Sequence, residues 1–231
     1  MTNILVVDDE IEIAELIEIY LVSEGFQVWK AATAKEGLAI LQKEAIQLVI
    51  LDIMLPDMNG MEMCKEIRKT NNIPIIMLSA KSRELDKIMG LANGADDYVT
   101  KPFSPLELTA RVKSQLRRYT QLNPDNPTVE QKNDLNLRGL SINRDNHQVF
   151  VYDEEVKLTP IEFDILYLLA SNPGKVFSTD DIFTEVWNEK MYEANNTVMV
   201  HIRRLRGKLK EDSRTEKIIT TVWGVGYKIE K

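Results

Sequence analysis

Asp8-Asp9, Asp52 and Lys101 each stand directly behind a short apolar or β-prone run: Ile4-Leu5-Val6-Val7, Leu48-Val49-Ile50-Leu51 and Asp97-Tyr98-Val99-Thr100. If these runs are strands of one parallel sheet, the acids and the ammonium emerge together at its carboxyl edge, where open α/β sheets bind ligands. Carboxylates gathered around an ammonium suit a hard divalent cation and a phosphoryl group. Asp52 is the expected nucleophile, forming an aspartyl phosphate while the cation and Lys101 neutralise the incoming charge. Asp9, Asp52 and a backbone carbonyl, placed at Met54, are the expected Mg2+ ligands, with Asp8 acting through water. Ser79 ends a fourth run, Ile75-Ile76-Met77-Leu78, and would donate its hydroxyl to a phosphoryl oxygen.

Elements must hold these groups in place. Residues 1–118 alternate strand-like and helix-like patterns, with strands at Ile4–Val7, Gln27–Ala31, Leu48–Leu51, Ile75–Leu78 and Asp97–Thr100. Ile13, Leu16, Ile17, Tyr20 and Leu21 recur at helical spacing and predict a helix that buries them. Thr33 with Glu36, and Ser104 with Glu107, read as capping boxes that start two further helices.

The chain has 231 residues, a length that suits two compact domains: 1–120, and 134–231 after a proline-bearing linker at 121–133. A content of 44% apolar and 28% charged residues argues for a globular chain. No stretch reaches the roughly 20 apolar residues that cross a bilayer, and the N-terminus runs straight into a strand, so a cytoplasmic protein without a membrane partner is expected. The lone cysteine, Cys64, reads as a small buried hydrophobe. Net charge is −7, and neither half is basic. Yet Arg203, Arg204, Arg206, Lys208 and Lys210 fall between Asn195 and Lys210 with no acid among them.

That basic stretch belongs to the second half, which begins with short strands at Leu135–Leu137, Leu140–Asn143, Gln148–Tyr152 and Val156–Leu158. Capping boxes at Thr159–Glu162 and Ser178–Asp181 open two helices, a third spans about 195–209, and a hairpin with strands at Ile218–Trp223 and Tyr227–Ile229 closes the chain. Val198, Ile202, Leu205 and Leu209 should face the core, which leaves His201 and the cations on the other faces of the third helix. Such a helix fits the major groove of double-stranded DNA. Arg204 is the first choice for base contact and Arg203 and Arg206 for phosphate or base edges, with Asn196, Thr197 and Lys208 beside them. In the hairpin, Trp223 and Lys228 join the expected DNA-binding residues, with packing of Trp223 against the hairpin base as its alternative and Lys228 or Thr221 touching the DNA backbone.

Val6-Val7-Asp8-Asp9-Glu10, Leu51 through Asp57, Leu78-Ser79-Ala80 and Gly94 through Phe103 resemble the receiver of two-component response regulators. Val200 through Arg206 and Gly224-Val225-Gly226-Tyr227 resemble the winged-helix output domain of the OmpR/PhoB family. Within that family, Asn195 through Val198 and Thr221 through Lys228 are similar to VanR-type regulators of glycopeptide resistance. The resemblance implies an α/β, flavodoxin-like, doubly wound five-stranded receiver followed by an α+β winged helix-turn-helix domain. It implies Asp52 as phosphoacceptor, Asp8 and Asp9 as the acidic pair, Ser79 and Tyr98 as the switch residues, and Lys101 as the site lysine. A phosphohistidine on a sensor histidine kinase would be the donor, with promoter DNA and RNA polymerase as further partners. Phosphorylation would drive a homodimer through Lys87, Asp96, Asp97, Glu107, Arg111 and Arg118.

Two other classes compete with this non-enzymatic reading. Haloacid-dehalogenase-type phosphatases also use an aspartyl nucleophile, but their general acid would fall at Met54, which carries no proton to give. A receiver joined to a protein-interaction domain is the third; salt-dependent, sequence-specific DNA binding by 134–231 separates it from the first. For the narrower role, another envelope or nutrient response is the alternative to glycopeptide resistance.

Overall fold

The computed structural model describes residues 1–80, 93–121, 134–144, 146–187, 194–211 and 217–231. They form two compact units, Met1–Tyr119 and Thr120–Lys231. Of the linker expected at 121–133, all but Gln121 lies outside the described residues.

In the first unit, β1 (Asn3–Val7), β2 (Gln27–Ala31), β3 (Leu48–Asp52), β4 (Ile75–Ser79) and β5 (Asp97–Thr100) make one parallel sheet in the order β2-β1-β3-β4-β5. Helices α1 (Ile11–Ser23), α2 (Ala34–Lys43), α3 (Gly60–Thr70) and α4 (Pro105–Gln121) accompany it. The three central strands are apolar at nearly every position because both sheet faces are covered, and Ile4–Val7, Leu48–Leu51 and Ile75–Leu78 are fully buried. Ile4, Val6, Ile50, Ile76 and Leu78 pack with Ala14, Ile17 and Leu21 of α1 and Leu108, Val112 and Leu116 of α4. Leu16 departs from its expected place: it is exposed, and Ala14 takes the buried position, because the stripe that faces the sheet is narrower than the helix's apolar content. Cys64 is buried, as its apolar neighbours predict.

Register brings the strand ends level. Val7 pairs with Leu51, Asp52 with Leu78 and Ser79 with Thr100, so the residues that follow each strand reach one edge together. The strand order reverses direction between β1 and β3, which opens a crevice there.

Two contacts fix the segment behind Asp52. Asp57 accepts the N–H groups of Ala34 and Lys35 at 2.9 and 3.0 Å, tying the loop to the N-terminus of α2, and the bond from Lys35 leads the effects that lower its pKa. The N–H of Gly60 donates to Ile53 at 2.9 Å, and a Cβ at residue 60 would lie 2.0 Å from the carbonyl oxygen of Asp52. No side chain fits there without moving the strand end.

In the second unit, β6 (Asp134–Leu137), β7 (Leu140–Asn143), β8 (Gln148–Val151) and β9 (Glu154–Glu155) form an antiparallel sheet. The fourth strand begins earlier than the expected Val156–Leu158. Tyr152 and Asp153 take positive φ, 48° and 66°, and this two-residue turn returns the chain at once, pairing Glu154 with Val151 and Glu155 with Phe150. Helices α5 (Pro160–Ala170), α6 (Thr179–Trp187) and α7 (Ala194–Lys208) follow, then the hairpin of β10 (Ile219–Val222) and β11 (Gly226–Ile229). Their shared core includes Ile161, Ile165, Leu166, Ile182, Phe183, Val198, Ile202, Leu205 and Ile229.

Gly60→Ala is expected to destabilise the first unit by roughly 3 kcal/mol, since a backbone oxygen rather than a flexible side chain must yield. Urea denaturation checks this, and an unchanged midpoint would contradict the close approach.

Candidate functional site

At the carboxyl edge of the sheet, the Lys101 ammonium lies 2.7 Å from Asp52 Oδ2, 2.8 Å from Asp8 Oδ2 and 3.0 Å from Glu10 Oε1. The strands deliver these groups. Lys101 follows β5 and its N–H donates to Ser79 at 2.7 Å, while Asp8 follows β1 and its N–H donates to Ala31 at 3.1 Å. Asp52 Oδ1 also accepts the N–H of Met54 at 3.2 Å, and Asp8 Oδ1 that of Glu10 at 3.0 Å.

Three carboxylates against one ammonium leave two formal negative charges. The Asp8 carboxyl is raised above its ordinary value, first by burial and further by the charge of Asp52, against the opposing pull of Lys101. For Lys101, burial works against the charged form, but its hydrogen bonds to Asp52, Asp8 and Glu10 outweigh it and raise the ammonium's pKa. Ligand oxygens of Asp8, Glu10 and Asp52 lie within 4.8 Å of one another. An oxygen-only donor set with a surplus of two negative charges fits a hard divalent cation, as in the acidic pocket of receiver domains.

The third acid of this cluster is Glu10 rather than Asp9. Asp9 is exposed, on the turn between two residues that point their oxygens at Lys101. The run of three acids held both possibilities, and only the path of the chain after β1 separates them. Ser79 is fully buried at the end of β4, and Tyr98 is buried on β5. The Met54 side chain is exposed.

The residues expected on a two-fold face divide. Arg111 Nη1 lies 3.0 Å from Asp97 Oδ2 and its Nη2 lies 3.0 Å from Glu107 Oε1, so these three form one network within the chain. Glu107 therefore serves Arg111. Asp96 is withdrawn from the surface: it is fully buried, 2.6 Å from Arg68 Nη2, and accepts the N–H of Ile75 at 2.9 Å. Asp97 and Arg111 are buried as well, whereas Glu107 is exposed. Lys87 and the side chain of Arg118 lie outside the described residues.

In the second unit the basic helix is less free than its sequence suggests. Val198, Ile202, Leu205 and Leu209 are buried as expected, but so is His201, which lies with its ring centroid 5.4 Å from that of Trp187. Arg203 is exposed. Arg204 instead reaches Glu162 Oε1 of α5 at 2.9 Å, and Lys208 reaches Glu162 Oε2 at 2.7 Å. Arg206 Nη2 donates to Ile219 O at 2.7 Å and Thr221 Oγ1 at 2.8 Å, holding the hairpin to the helix. Thr197 is half-buried, and the side chain of Asn196 lies outside the described residues. Lys228 pairs with Glu230 at 2.8 Å.

Trp223 does not pack against the hairpin base. It is 91% exposed, beside the positive-φ turn at Gly224, which carries the indole clear of the sheet. Glu162 was legible only as a capping-box residue, and it does accept the N–H of Thr159 at 2.9 Å. Its second role needed the tertiary approach of α7.

Burial opposes ionisation of Glu162, yet the charges of Arg204 and Lys208 outweigh it and hold the carboxyl down to about 2. A carboxyl lowered on folding contributes stability above its unfolded value, near 4.5, and loses it as pH falls toward 2. The second unit should therefore lose about 3 kcal/mol over that window, and Glu162→Gln should flatten this acid limb in denaturant titrations at stepped pH.

Comparison with known proteins agrees with both units. Residues 4–113 match the model of the response regulator receiver domain, and residues 153–229 that of the transcriptional regulatory protein C-terminal domain. The chain is 52% identical to the regulatory protein VanRc of Enterococcus gallinarum over 231 residues, 99% of each chain. It is 49% identical to VanR of Enterococcus faecium, again over 99% of each, and 43% identical to the transcriptional regulatory protein ResD of Bacillus subtilis over 99% of this chain and 96% of that one. Among solved structures, DrrB of Thermotoga maritima, an OmpR/PhoB homologue, aligns with TM-score 0.52 and 33% identity over all of both chains, and a RitR mutant with TM-score 0.75 and 25% identity. Among the described residues, no helix is long and apolar enough to cross a membrane. A receiver whose acids and lysine meet at one sheet edge, joined to a basic helix and hairpin, places this chain in the two-component response regulators of OmpR/PhoB type, with a receiver and a DNA-binding transcriptional output domain.

Proposed function

We propose that Asp52 is the phosphoacceptor and that a sensor histidine kinase supplies the phosphoryl group. The observation that carries this is Lys101, held between Asp52 and Asp8 at 2.7 and 2.8 Å in a pocket with surplus negative charge. A carboxylate oxygen of Asp52 attacks phosphorus, the phosphorus–nitrogen bond of the donor phosphohistidine breaks, and its electron pair returns to the imidazole, which takes up a proton. Lys101 stabilises charge on the phosphoryl oxygens. Asp8, Asp52 and Glu10 are the carboxylates that would hold Mg2+, with Asp9 and the Met54 carbonyl as further oxygens at this edge. When bound, Mg2+ would offset the repulsion between Asp52 and the incoming group. Ser79 and Tyr98 are the residues we assign to sensing the product.

Phosphorylation then drives a homodimer in the cytoplasm. Asp97, Glu107 and Arg111 are proposed to face the second copy with Lys87 and Arg118, exchanging internal pairs for pairs across the two-fold axis. Asp96, the sixth expected member of this face, is engaged within its own subunit by Arg68 and the N–H of Ile75. Exposed pairs across such a face contribute about 0–1 kcal/mol each, so they set register more than affinity. Residues 134–231 are the DNA-binding domain, residues 121–133 its linker to the receiver at 1–120, and RNA polymerase the proposed recipient of the output. Control of glycopeptide-resistance or cell-wall genes is the narrower reading, supported by full-length similarity to VanRc and VanR. Another envelope or nutrient response is the alternative that genome-wide occupancy mapping would distinguish.

Acetyl phosphate with Mg2+ should add one phosphoryl group to the wild type and none to Asp52→Asn by intact mass, with dimers in sedimentation only for the former. An unmodified wild type that remains folded would reject the assignment. In the hairpin, the exposed indole of Trp223 is proposed to contact DNA through apolar surface. Trp223→Ala should weaken binding about tenfold without changing the salt slope, whereas loss of a phosphate contact would change that slope by about 0.9.

A further inference from the structure

One buried carboxylate stands behind the basic helix, and the DNA-reading role proposed above does not account for it. Glu162 lies in the first turn of α5 and is fully buried. It faces two cations of α7 at once, Arg204 at 2.9 Å through one oxygen and Lys208 at 2.7 Å through the other. Arg204 and Lys208 are four residues apart, hence on one face of the helix. The second oxygen is held from its own side by the N–H of Thr159 at 2.9 Å, so the carboxylate cannot swing to follow either cation.

We propose that Glu162 is a positioning residue for DNA recognition, setting the orientation of Arg204 and Lys208 and cancelling one of their two charges. The proposal rests on α7 being the DNA reader. Two effects follow from one anion. An arginine drawn to a fixed carboxylate 2.9 Å away samples fewer side-chain positions, so less side-chain freedom is lost when it meets a base edge or phosphate. The pair also presents one net positive charge rather than two, which lowers the sequence-independent attraction to any duplex. Both effects raise the ratio of specific to non-specific binding, the first by strengthening the numerator and the second by weakening the denominator. A purely structural Glu162 would alter stability and move both affinities together.

The test uses the full chain and two probes: a duplex selected by the wild type from random-sequence DNA, and a scrambled duplex of equal length, each titrated across KCl concentrations. Glu162→Gln should bind the scrambled duplex about threefold to tenfold more tightly. Its specific-to-scrambled ratio should fall at least tenfold, and its salt slope on the scrambled probe should steepen by about 0.9, the signature of one more neutralised phosphate. A folded Glu162→Gln protein with the wild-type ratio and slope would overturn the proposal. Should that variant fail to fold, Arg204→Lys keeps both the carboxylate and the charge and removes only the fork. It should lower the ratio with the slope unchanged, and a wild-type ratio there would be equally fatal. Failure of the wild type to select any duplex is a different result: it removes the DNA reading itself and this inference with it.

Discussion

Charge held at the end of a dry sheet is the constraint from which the receiver unit follows. Lys101 sits among Asp8, Glu10 and Asp52 where three fully buried strands stop, and its single charge leaves two negative charges unmatched. Removing such ions from water costs several kcal/mol each unless partners are close and well aligned. The fold supplies that alignment through strand register, through the bond from the Lys101 N–H to Ser79, and through Gly60, whose missing side chain lets the next segment lie against the Asp52 carbonyl. The pocket remains short of positive charge. That shortfall makes it receptive to a cation and then to a phosphoryl group, while burial first, and the charge of Asp52 after it, raises the Asp8 carboxyl despite the neighbouring ammonium.

The output unit solves the converse problem. A helix dense in arginine and lysine must stay attached to a small core without spending its charge on every passing anion. Glu162 answers from α5, and Arg206 answers from the hairpin side by bonding Ile219 and Thr221. Helix and hairpin are thereby held as one surface, with Arg203 and Trp223 exposed on it. In both units a buried or half-buried ion pair fixes geometry where function requires it, at a desolvation cost that apolar packing must offset.

Legibility in the sequence varied with how local the cause was. The three central receiver strands were readable because a strand covered on both faces needs an unbroken apolar run, and the acids or hydroxyl behind each run marked where it met water. The helices of the output unit announced themselves through capping pairs such as Ser178 with Asp181, which exchange hydrogen bonds at 3.0 and 3.1 Å over three residues. Asp96, His201 and Trp223 were not readable in the same way. A carboxylate buried against Arg68 and an imidazole buried beside Trp187 look like surface residues until their distant partners are known. An indole looks like core until the turn that exposes it is built.

What the chain's residues determined alone was therefore the set of elements, their order and the identity of Asp52, Asp8, Ser79 and Lys101 as groups that leave strands at one edge. Periodicity and capping act over a few residues, and the sequence contains all of their causes. Tertiary structure alone decided that Glu10 rather than Asp9 turns toward Lys101, that Asp96 points inward while Asp97 meets Arg111, and that Glu162 stands behind two cations 42 and 46 positions away. Those outcomes depend on charges brought together across the fold, where a rotation of one residue changes which side chain faces water, and no local pattern encodes that choice.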